Sequence, residues 1–146
     1  MYKVPFGVFK ILRNKITLEH LLLDADCEVV FVNISTNNTI RVFPQFKKMK
    51  EKQIHIFLNV FKGVGVELDL KNALGMLHIV LLEILLNNTN KQVLIVGNTG
   101  FTRESILFLQ HNFELLMEKF INKIILIYDE NLPKATVKID FKRELL

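Results

Sequence analysis

The chain has 146 residues, half of them hydrophobic, with no Trp, one Cys and a formal net charge of +4. That length suits one domain with a real core. The lone Cys27 excludes an internal disulfide and a cysteine-built metal site, and the modest charge permits a nucleic-acid partner without demanding one. The charge is uneven: residues 1–64 carry ten Lys/Arg against five Asp/Glu, and residues 65–146 carry nine against ten. A reducing compartment follows from the cysteine usage, with Cys27 read as a small core residue.

Residues 1–25 read as an apolar and basic lead-in, with Lys3, Lys10, Arg13 and Lys15 ahead of the first acid, Glu19. They lack the Ser and Arg richness of an organelle presequence, so a retained extension is expected, with a short helix after Thr17 presenting Ile16, His20 and Leu23. Residues 27–35 are rich in β-branched and aromatic side chains and predict a strand. Asn37-Asn38 predict a hairpin turn, because Asn tolerates the left-handed conformation, and Thr39 to Phe43 return as a second strand that Pro44 ends or places at an edge. Phe46 to Lys52 predict a basic loop holding Lys47, Lys48, Lys50 and Lys52, either a solvated hairpin tip or a polyanion contact. Gln53 to Phe61 predict a third strand, with Ile54, Ile56 and Leu58 alternating against Gln53, His55 and Asn59 and Phe57 breaking the pattern. His55 then sits on the strand surface.

Lys62-Gly63-Val64-Gly65 is a predicted turn. A helix follows to about Leu86, with Asp69 as its N-cap. It is apolar nearly all round, which requires burial on more than one face and makes His78 a core or interface residue. Asn87-Asn88 supply its stop. Its apolar run, Ala73 to Leu86, is shorter than the ~20 residues that span a bilayer and contains His78 and Glu83, so no membrane partner is expected. Val93 to Val96 predict a strand covered on both faces. A second helix from Arg103 to about Phe120 turns Ile106, Leu109, Phe113, Leu116 and Phe120 inward and Gln110, Glu114 and Glu118 outward. Asn122 to Tyr128 predict the last strand.

The expected fold class is therefore α/β, with a mixed five-stranded sheet: a three-strand meander, then two helical crossovers, of ribonuclease-H-like or translational-machinery-component topology. The expected division is an extension over 1–25, an α/β domain over 26–128 and a basic tail over 129–146.

Function centres on residues 93–107. Here a buried strand meets a loop marked by Gly97 and Gly100, then a helix that Thr102 can cap. The helix points its unpaired N–H groups and positive dipole end into the loop, which attracts anions, phosphate above all. Arg103 adds a planar cationic fork suited to phosphate oxygens. Most strand–glycine–helix junctions are only turns. This one lacks the Gly-Lys-Ser/Thr of a P-loop and the dinucleotide fingerprint.

Two stretches together resemble one family. Val32-Asn33-Ile34-Ser35-Thr36-Asn37-Asn38-Thr39-Ile40 resembles the first hairpin of the small-subunit ribosomal protein S-eleven family. Val96 through Ser105 resembles its second signature, a Gly-rich loop running into Gly-Arg-Glu and a helix; Thr99, Gly100, Arg103 and Glu104 match, while Asn98 and Thr102 stand where the family has Gly. Phe61-Lys62-Gly63 resembles the aromatic-Lys-Gly before the family's first helix, and Asp129-Glu130 with Pro133 resembles the start of its tail. The likeness covers residues 26–146. It departs at Val64-Gly65-Val66-Glu67, where the family is basic, and in a tail without the His-Asn-Gly-Cys-Arg-Pro run.

The resemblance implies a structural, non-enzymatic constituent of the small-subunit platform, in a mitochondrial version. Its implied partners are small-subunit rRNA and neighbouring platform proteins, with no cofactor, no metal and no homo-oligomer. The RNA-contacting residues it implies, together with the basic groups read above, are Asn37, Asn38, Thr39, Lys47, Lys48, Lys50, Lys62, Asn98, Thr99, Gly100, Arg103, Lys134, Lys138, Lys142 and Arg143. Two rivals stand beside it. One is a metal-dependent nuclease drawing on Asp24, Asp26, Asp69 and Asp129. The other is a protein-interaction domain docking through the first helix at Leu82 and Leu85.

Overall fold

The computed structural model describes residues 7–10, 28–32, 35–37, 40–42, 44–87, 89–97, 101–120 and 122–129. In chain order the elements are strands β1 (Gly7–Lys10), β2 (Glu28–Val32), β3 (Ser35–Asn37) and β4 (Ile40–Val42), helices α1 (Pro44–Lys48), α2 (Glu51–Lys62) and α3 (Ala73–Leu86), strand β5 (Gln92–Gly97), helix α4 (Arg103–Glu114) and strand β6 (Lys123–Asp129). A 3-10 turn, Met117–Lys119, lies between α4 and β6.

The main sheet has four strands in the order β1-β6-β5-β2, and β3 and β4 form a separate two-stranded hairpin. β2 and β6 flank β5 in parallel, with Val32 opposite Val96 and Val96 opposite Ile127. β1 closes the other edge antiparallel to β6, Gly7 opposite Asp129 and Lys10 opposite Leu126. Val93, Leu94 and Val96 are buried, as are four successive residues of β6, Ile124 to Ile127. Successive strand residues point to opposite faces, so this sheet is covered on both, as the unbroken apolar runs require.

α3 explains itself by composition. Leu77, Ile79, Val80, Leu81, Leu82 and Leu85 all lie within the core, so no side of the middle of this helix meets water. It contacts α1, α2 and α4. Each such side chain contributes about 1.5–3 kcal/mol relative to leaving it exposed. The second predicted stripe also holds: Ile106, Leu109, Phe113, Leu116 and Phe120 are all buried.

The five-stranded mixed sheet with a three-strand meander, and with it the ribonuclease-H-like or translational-machinery-component topology, is overturned: the main sheet has four strands and β3–β4 pair apart from it. Residues 53–61, expected as its third strand, lie inside α2. Ile54, Phe57, Leu58 and Phe61 recur at helical spacing, and Phe57 and Phe61, one turn apart, are the pair that α2 buries. Phe57, the residue that broke the alternation, was the helical signal. Glu51 in the first turn and Lys62 in the last also suit the helix dipole. The strand antiparallel to β6 comes instead from Gly7–Lys10, within the lead-in.

Smaller expectations shift in the same region. The basic loop is an elbow between α1 and α2, anchored by buried Met49. Pro44 follows the end of β4 at Val42 and opens α1, where its fixed φ and missing N–H cost nothing. α3 is capped by Asn72, whose side chain accepts from the Gly75 N–H at 2.8 Å. Asp69, the expected cap, instead accepts from Lys71 N–H at 2.9 Å in the preceding turn. Gln110, expected outside, is buried and donates to Glu114 at 3.2 Å. The turn at 63–65 is present, with Gly65 at φ 82°, and Asn87 caps the end of α3. The helix expected after Thr17, Cys27, the carboxylates Asp24 and Asp26, and the tail from residue 130 lie outside the described residues.

Candidate nucleic-acid interface

In an open sheet with parallel strands, ligands meet the carboxyl ends of those strands. Three chain exits gather there. β5 ends at Gly97, opposite Tyr128 of β6, and β2 ends at Val32, opposite Val96. The chain leaving β2 enters the β3–β4 hairpin three residues later. The chain leaving β5 enters α4 at Arg103. The chain leaving β6 at Asp129 begins the basic tail. The fold therefore brings Val32, Gly97 and Asp129, the carboxyl ends of β2, β5 and β6, to one edge of the sheet.

The mouth of α4 is built as its sequence demands. Thr102 is extended, at φ −71° and ψ 163°, and its Oγ1 accepts from Ser105 N–H at 3.2 Å while its hydroxyl donates to Ser105 Oγ at 3.1 Å. Such a cap stabilises a helix by about 1 kcal/mol and leaves the earliest N–H groups directed outward. Phe101, half-buried, packs against the core and anchors the loop end. Thr102, Arg103 and Glu104 are exposed. The Arg103 guanidinium therefore stands in solvent beside a positive helix end, a combination that favours phosphate.

The other expected contact residues fall into two sets. Lys47, Lys48, Lys50 and Lys62 are all exposed; Lys47 and Lys48 end α1, Lys50 is the N-cap of α2 in the elbow between them, and Lys62 is the last residue of α2. Lys50 and Lys62 stand at opposite ends of α2, about 18 Å apart by helical rise. Asn37 is the last residue of β3. Asn38, Thr39, Asn98, Thr99, Gly100, Lys134, Lys138, Lys142 and Arg143 lie outside the described residues.

Two polar clusters escaped the sequence reading. Glu28, Gln92 and Lys123, the first residues of β2, β5 and β6, stand in register across the amino edge of the sheet. Lys123 Nζ donates to Gln92 Oε1 at 2.6 Å, and Gln92 Nε2 donates to Glu28 Oε2 at 3.4 Å. Burial holds the Lys123 ammonium below its ordinary range, and the Glu28 charge offsets part of that.

The second cluster joins α3 to α4. His78, expected inside, lies 2.7 Å through Nδ1 from the Leu74 carbonyl and 3.0 Å through Nε2 from Asn112 Nδ2. A carbonyl only accepts and an amide NH₂ only donates, so this is the neutral ring with its proton on Nδ1. Phe61, Phe108 and Phe113 enclose it with ring centroids 5.5–5.9 Å away. Burial lowers its pKa to about 4, against the opposing pull of the Leu74 hydrogen bond.

Leu82 and Leu85, the proposed docking residues of the interaction-domain rival, are inside this chain's own core, so that face of α3 is no surface. Exposed large apolar side chains among the described residues are Ile56 on α2, Leu86 at the end of α3, Leu107 and Phe108 on α4 and Leu115 at its C-cap. Among the described residues no three His, Cys, Asp or Glu side chains gather as a metal site would need, and no helix is long and apolar enough to cross a membrane. No family model, curated protein or solved structure matches the chain.

Proposed function

We propose that this chain is a structural constituent of the small ribosomal subunit, an S-eleven-type platform protein that binds small-subunit rRNA and supports translation in mitochondria. One observation carries the reading. The two stretches that resemble the family leave adjacent parallel strands, β2 and β5, at the same edge of the sheet. There the exposed, Thr102-capped mouth of α4 presents Arg103. First-turn N–H groups and the helix dipole would hold a phosphate, and Arg103 would clamp it bidentately or stack on a base. Asn37, Asn38 and Thr39 would donate to ribose and phosphate from the neighbouring hairpin. Such contacts read RNA shape and 2′-hydroxyls more than sequence. Leu107, Phe108 and Leu115 give a platform protein apolar surface for a protein neighbour.

The test is sedimentation of the tagged full chain from its own cells, with the mitochondrial fraction separated first. Wild type is expected with small subunits, and Arg103→Glu is expected to leave them. Absence of the wild type from small subunits, or normal incorporation of Arg103→Glu, refutes the proposal.

A further inference from the structure

We propose that the outward face of α2 is a second RNA-binding surface, a basic ridge that lies along the phosphate backbone apart from the mouth of α4; the inference rests on the ribosomal RNA reading above. Lys52, His55, Asn59 and Lys62 are spaced three, four and three residues apart, so they fall on one face of the helix. All four are exposed, while Phe57 and Phe61 bury the opposite face. The ridge therefore keeps its direction because the aromatic pair behind it is locked in the core. It runs about 15 Å from Lys52 to Lys62. Lys50 at the N-cap and Lys47 and Lys48 in α1 are three more exposed cations at the amino-terminal end of α2.

Charge decides the occupant. From residue 44 to residue 66 there are five lysines and one acid, Glu51. Glu51 faces His55 at 3.9 Å along the helix, and among the described residues no carboxylate pairs with any of these five lysines. A run of point charges interleaved with an amide and an imidazole suits phosphates and ribose hydroxyls, which accept hydrogen bonds at repeated intervals. An anionic membrane is a poorer match. A helix lying in a lipid interface inserts a broad apolar face, whereas α2 buries Phe57 and Phe61 in the core and leaves Ile56 as a single exposed large apolar side chain.

The experiment is fluorescence anisotropy of the full-length protein with a labelled mixed-sequence RNA duplex of about 20 base pairs, titrated over a range of KCl concentrations. The Lys52→Glu/Lys62→Glu double variant is expected to bind about tenfold or more weakly, with a log K against log[KCl] slope shallower by about 2, one for each phosphate contact removed. Both positions are exposed, so circular dichroism should match wild type. Arg103→Glu is measured in parallel. A wild-type slope in the double variant overturns the ridge and leaves the mouth of α4 to be judged by Arg103→Glu. Loss in the double variant with none in Arg103→Glu sustains the ridge and overturns the mouth. Wild-type protein that ignores the duplex but binds phosphatidylserine vesicles overturns both.

Discussion

His78 makes the stability of this protein depend on pH in a calculable way. Its imidazole is enclosed by three phenyl rings and kept neutral, with its pKa lowered from 6.5 to about 4. Between those values the unfolded chain binds a proton at this position and the folded chain does not. Stability therefore rises with pH across the window, is complete above 6.5, and falls as acid is added. At 1.36 kcal/mol per pKa unit, acidification from 6.5 to 4 removes about 3 kcal/mol through this residue alone. That is a large share of the roughly 5–15 kcal/mol that holds a typical domain together. Other groups titrate there too, so the measurement is a difference. Urea unfolding at pH 7 and pH 5 should show wild type losing about 2 kcal/mol more than His78→Gln, which cannot take up the proton. The imidazole resonance of His78 should also stay that of a neutral ring at pH 5. Equal losses in the two proteins would refute the reasoning.

Two further substitutions test the packing. A Cβ at Gly75 would lie 2.1 Å from the Asp69 carbonyl oxygen, and backbone cannot swing aside as a side chain can. Gly75→Ala should cost about 1–3 kcal/mol in denaturant unfolding despite the better helix propensity of Ala, and an unchanged midpoint would contradict that close approach. Leu82→Glu places a carboxylate in a fully buried position and should abolish cooperative unfolding. A normally folded Leu82→Glu protein that had merely lost a partner would restore α3 as a docking surface.

What could be read from residues alone was the structure set by local pattern. The all-round apolar α3, the paired runs of β5 and β6, the inward stripe of α4 and the Thr102 cap each carry their reason within a few residues. α2 was misread because Ile54, Ile56 and Leu58 imitate strand alternation; only Phe57 and Phe61, weighed against them, recover the helical period. β1 left no local trace. It is four residues long, and its reason for being a strand is β6, at the far end of the described chain. Asn112 was likewise illegible, since a buried amide is tolerable only where a partner waits, and its partner is 34 residues away. The glycine loop of the candidate interface was singled out by its strand–glycine–helix pattern and the hairpin by resemblance, while the ridge on α2 appeared only once that segment was seen to be a helix.

The pairing of β1 with β6 sets the order in which this molecule can be completed. Among the described residues β1 is hydrogen-bonded only to β6, so during synthesis Gly7–Lys10 must wait for its partner until Asp129 has emerged. β5 waits too, for its β6 side. A sheet seamed by its two most distant segments has a long loop to close and belongs among slow-folding topologies. Until β6 is in place, the edge of β5 that it pairs stands open to unwanted contacts, and a nascent-chain chaperone would find its clearest target there.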